Sequence, residues 1–94
     1  MKVEHSTEIV SGHSIEIGAA TWNPKDRSVR DRYETASGGF SPRSSSEVPI
    51  RDLVAMLEFV AKHDELSITE CTKIINALSA SILRQCKDTP QGAT

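Results

Sequence analysis

At 94 residues and a formal net charge of −2, the chain is long enough for one domain and too acidic overall for a general nucleic-acid binder. Its four aromatic residues, Trp22, Tyr33, Phe40 and Phe59, support only a modest core, so self-association is the expected way to cover apolar surface. No apolar run approaches the ~20 residues that span a bilayer, and MKVEHSTEIV lacks the apolar stretch of a secretory signal, which makes the cytoplasm the expected location.

Residues 3–36 are expected to be β structure. VEHSTEIV and HSIEIGAATW are rich in β-branched residues, and Ile15 and Ile17 alternate with Ser14 and Glu16. Ser11-Gly12 between them suits a tight hairpin turn. NPKD at 23–26 suits a second turn, because proline presets φ and asparagine favours turn initiation. In a third strand, SVRDRYETA, Val29, Asp31, Tyr33 and Thr35 share one face, while Ser28, Arg30, Arg32 and Glu34 share the other. The reading is a three-stranded antiparallel meander.

Residues 37–48 follow as an irregular loop. Serine and glycine dominate its first ten positions, a composition that drives no packing of its own. Residues 49–64 are expected to form a first helix. Pro49 suits its first position, where a missing N–H costs nothing, and pushes Val48 into an extended conformation. Asp52 near its start and Lys62 near its end complement the helix dipole, and Ile50, Leu53, Val54, Leu57, Val60 and Ala61 recur at spacings of three and four.

Residues 67–86 are expected to form a second helix, opened by the capping box Ser67-Ile68-Thr69-Glu70. Cys71, Ile74, Ile75, Leu78 and Ile82 make its apolar stripe, and the short link at 64–66 implies a helical hairpin. Residues 87–94 are expected to fray as a tail. The fold class is therefore α+β within a single domain, residues 1–94.

Little points to catalysis. His5, His13 and His63 lie on three different expected elements, and no GxSxG, HExxH or P-loop pattern is present. Cys71 and Cys86 stand about 22 Å apart along one helix, too far to bridge within a chain, and neither has the spacing of a metal or redox site. No enzyme activity, metal or cofactor is expected.

Charge is unevenly distributed along the chain. Lys25 and five of the six arginines fall between residues 25 and 51, giving that window a balance of +2 on a remainder of −4. Arg30 and Arg32 project from one strand face about 7 Å apart, which suits two phosphate oxygens. Gly38 and Gly39 permit close backbone approach, and Arg43 with Ser44, Ser45 and Ser46 adds donors just ahead of a helix N-terminus. Tyr33 and Phe40 can stack on a base. The reading is a non-catalytic homo-oligomer, assembled through its two helices, that sequesters or senses a phosphate-bearing small ligand such as a nucleotide. Two alternatives stay open. One is a protein inhibitor or adaptor that presents the same loop to an acidic partner surface. The other is a ribbon-helix-helix-like DNA binder, which the negative charge and the long loop disfavour.

Overall fold

The computed structural model describes residues 1–39 and 45–88. Four strands, β1 (Lys2–Val10), β2 (His13–Ala19), β3 (Arg27–Tyr33) and β4 (Ser46–Pro49), precede two helices, α1 (Ile50–Lys62) and α2 (Ile68–Asp88). The strands form one antiparallel sheet in the order β1-β2-β3-β4. The protein is thus α+β, and the chain divides into two compact units, Met1–Glu58 and Phe59–Thr94.

The expected three-stranded meander is corrected to a four-stranded sheet. Residues 46–49, assigned to the loop and to the first helical position, pair with β3 through Ser28–Pro49, Val29–Val48, Arg30–Glu47 and Asp31–Ser46. Four residues are too few to display an alternating pattern, so the strand is visible only through its partner. The steric push of Pro49 on Val48 towards extended backbone, read as a helix start, serves a strand instead. Pro49 ends an edge strand, where a missing N–H is tolerated, and α1 starts at the next residue. The second helix runs on to Asp88, so residues 87 and 88 are helical where a tail was expected.

The turns follow local chemistry. Gly12 takes a φ of 83° between β1 and β2, a left-handed conformation that glycine adopts without steric cost. At the second turn, the Lys25 N–H donates to Asn23 Oδ1 at 3.0 Å and the Asp26 N–H to the Asn23 carbonyl at 2.9 Å. The β1–β2 register shifts between Val3 and His5 and again between Glu8 and Val10. Such irregularities twist an edge strand and blunt it against pairing with foreign strands.

Pairing sorts the sheet into two unlike faces. One carries Ile15, Ile17, Val29 and Val48 with His13, Asp31 and Tyr33; the other carries Glu16, Ser28, Arg30, Arg32 and Glu47. The best-buried residues include polar ones. Ser28 is fully buried and Glu16 nearly so, beside Ala20 at 5% exposure. Burial of such groups is tolerable only with partners, and among the described residues no buried side-chain nitrogen or oxygen lacks one.

In the second unit, the end of α1 and the start of α2 are fixed by backbone chemistry. Asp64 has a φ of 55°, its N–H donates to the Ala61 carbonyl at 3.0 Å, and the Glu65 N–H donates to the Val60 carbonyl at 3.2 Å. This is a Schellman stop with aspartate in the place usually taken by glycine. Ser67 then caps α2 as its spacing predicts. Its N–H donates to Glu70 Oε1 at 2.9 Å, and the Glu70 N–H donates to Ser67 Oγ at 3.1 Å.

Candidate functional site

Strand alternation places Arg30 and Arg32 on one face of β3, as expected, and the β2–β3 register sets Glu16 directly opposite Arg30. Arg30 Nε donates to Glu16 Oε1 at 2.8 Å, and its Nη2 lies 2.6 Å from the same oxygen, with both side chains less than a fifth exposed. Arg32 Nε lies 3.9 Å from Glu16 Oε1, and its Nη1 lies 3.8 Å from Glu34 Oε1. An anionic ligand at Arg30 would therefore compete with an internal carboxylate that is already desolvated. Leaving such a carboxylate without its partner costs about 3–5 kcal/mol.

Other residues of the expected loop site are also engaged. Ser45 Oγ accepts from the Tyr33 N–H at 3.0 Å and lies 3.4 Å from the Tyr33 carbonyl, so this serine closes the β3–β4 connection. The Gly39 N–H donates to Thr35 Oγ1 at 2.9 Å, and the Gly39 carbonyl accepts from the Thr35 N–H at 2.5 Å. Ser46 sits in β4 opposite Asp31. Phe40, Arg43 and Ser44 lie outside the described residues. The expectation that the serines border a helix N-terminus is corrected, because β4 intervenes and carries the chain roughly 13 Å before α1 begins.

Tyr33 takes the opposite face from the arginines. Its ring stacks on His13 with centroids 4.2 Å apart and planes 9° from parallel, and His13 Nε2 is in short contact with the Asp31 carboxylate. Sequence reading missed this cluster, although the Ser11-Gly12 turn and the alternation of β3 contain most of the information needed to find it. Nearby, His5, Ser6, Thr7, Ile15 and Ile17 line an open depression of about 180 Å³. Small-molecule sites usually occupy about 300–1,000 Å³ and bring several polar groups to one point, so the depression falls short of one. Among the described residues no group of three or more His, Cys, Asp or Glu is placed to hold a metal ion.

Two carboxylates knit the first unit together. Glu47 accepts from the Thr21 N–H at 2.9 Å, from Thr21 Oγ1 at 2.7 Å and from Ser28 Oγ at 2.8 Å. Burial pushes the Glu47 carboxyl up, but the hydrogen bonds from Thr21 and Ser28 outweigh it and hold the group below its ordinary value. Asp26 receives Arg51 Nη1 at 2.6 and 2.5 Å on its two oxygens and Trp22 Nε1 at 2.8 Å. The Arg51 guanidinium, then the Trp22 N–H, lower its pKa to about 2. Trp22 and Arg51, both types enriched at interface hot spots, are thereby held side by side on the surface.

Both helices expose large apolar side chains. Val54, Met56, Leu57 and Phe59 on α1 and Ile68, Ile75, Leu78, Ile82 and Leu83 on α2 are each between 39% and 87% exposed. No helix among the described residues is long and apolar enough to cross a membrane. Comparison with protein-family profiles, curated proteins and solved structures finds no match, so the chemistry of these residues must carry the functional argument.

Proposed function

We propose that the chain is a non-catalytic protein-interaction module that works as a homo-oligomer, with the apolar faces of α1 and α2 as its contact surface. The observation that carries this reading is the exposure of nine large apolar side chains on the two helices. Each gains about 1.5–3 kcal/mol on full burial, so leaving them all in water is costly. In the first unit, Trp22 and Arg51 supply the residue types that anchor protein contacts.

A phosphate-bearing ligand is the weaker reading, because Arg30, Ser45 and Gly39 already have partners within the chain. A ribbon-helix-helix-like DNA reader has less support still. Its reading strand would be β4, which is four residues long and paired along one edge with β3.

Light scattering coupled to size-exclusion chromatography tests the proposal. The expected result is a species of at least two protomers, with a Tm that rises with protein concentration. A monomer whose Tm stays constant over about a 100-fold concentration range would overturn it. A Tm increase of several degrees with millimolar phosphate or nucleotide would move the function to the loop.

A further inference from the structure

We propose that α2 is the seam of the assembly and pairs antiparallel with α2 of a second copy. This rests on the reading of the helices as the contact surface and names their partner. Ile68, Cys71, Ile75, Leu78, Ile82 and Gln85 recur at alternating spacings of three and four through the helix. That spacing keeps one line of side chains facing a neighbouring helix along a left-handed supercoil. Four of the six, Ile68, Ile75, Leu78 and Ile82, are large and more than half exposed. The shoulders of the line carry Thr72, Ile74, Ser79, Ser81 and Cys86, all uncharged, so no charge on them repels a second helix. Glu70, Lys73, Arg84 and Lys87 occupy the outer side.

The line is complementary to itself when reversed. Setting Ile75 level with the partner's Leu78 also sets Cys71 level with the partner's Ile82 and Ile68 level with the partner's Gln85. Every layer is filled, and each contact occurs twice about a two-fold axis, as an isologous dimer requires. Charge selects the same orientation. Asp64, Glu65 and Glu70 crowd the N-terminal end, whereas Arg84 and Lys87 lie near the C-terminal end. A parallel pair would set three carboxylates against three. The antiparallel pair instead brings each acidic N-terminal end beside the partner's C-terminal end, where Arg84 and Lys87 outnumber Asp88, and it opposes the two helix dipoles.

The area is sufficient for a specific contact. Burying eight such side chains, four from each copy, removes roughly 500–1,000 Å² of apolar surface. Together with the shoulders, this reaches about the 1,000 Å² at which interfaces become specific.

Thiol cross-linking tests the register. Cys86→Ser with Ile82→Cys leaves thiols at positions 71 and 82, which lie about 16 Å apart within one helix and so cannot close on each other. Mild oxidation is expected to yield a covalent dimer through 71 and 82 of opposite copies. Cys86→Ser alone is expected to stay uncrosslinked, because like thiols at 71 are separated in the antiparallel pair. In the unmodified cysteine background, Leu78→Glu is expected to halve the mass by light scattering while helix content by circular dichroism is unchanged. A dimer that resists the 71–82 cross-link, or links readily through 71 alone, overturns the antiparallel seam and leaves the self-association reading standing. A dimer that survives Leu78→Glu does the same. A wild-type monomer overturns both.

Discussion

Arg30 and Glu16 face each other across β2 and β3, with Arg30 Nε 2.8 Å from Glu16 Oε1 and most of both side chains withdrawn from water. Glu47 occupies the next position along the same row, with its carboxylate engaged by Thr21 and Ser28. Arg30→Ala is expected to destabilise the sheet by about 3–5 kcal/mol, because it strands Glu16 at a desolvated position. Urea denaturation of the variant measures this. If the loss is below about 0.5 kcal/mol, the pair behaves as a solvated surface bridge.

At Gly18 the backbone of β1 passes close to β2. A β-carbon there would lie 1.8 Å from the Lys2 carbonyl oxygen and 2.8 Å from the carbonyl carbon. Neither atom belongs to a flexible side chain, so the strand itself must shift. Gly18→Ala is expected to cost about 1–3 kcal/mol, read as a lower denaturation midpoint. The same change at Gly12 meets no atom within 4 Å and is penalised only through its positive φ.

Asp26 makes stability depend on acid. Its folded pKa of about 2 is below the ordinary 3.8, the Arg51 hydrogen bond being the main cause. A depressed carboxylate contributes stability that is fully present above the unfolded pKa and fades as pH falls through the folded one. Loss is therefore expected between about pH 4 and pH 2, and Asp26→Asn should flatten the stability profile in that window. Thermal melts at a series of pH values provide the measurement. An unchanged profile would show that Arg51 and Trp22 do not hold Asp26 in solution.

Asp64 pays a steric penalty at the end of α1, where its φ of 55° suits glycine. Asp64→Gly is expected to stabilise the chain by up to about 1 kcal/mol, reduced by the extra freedom of glycine in the unfolded state. For a domain of this size that corresponds to a Tm rise of about 4–8 °C. A lower Tm would mean that the carboxylate itself contributes more than the backbone costs.

What could be read from the linear chain was local chemistry. The alternation of β2 and β3, the Gly12 turn and the Ser67–Glu70 cap each depend on residues within a few positions of one another, so spacing alone reveals them. The two faces of β3 were equally legible, including the shared side of Arg30 and Arg32. Tertiary structure decided which groups those faces meet. Glu16 lies fourteen positions before Arg30, and Glu47 lies nineteen after Ser28. Such partners are chosen by strand register, and a shift of one residue would send every side chain to the other face. The fourth strand escaped notice for the same reason: four residues carry no period of their own, and hydrogen bonding to β3 makes them a strand.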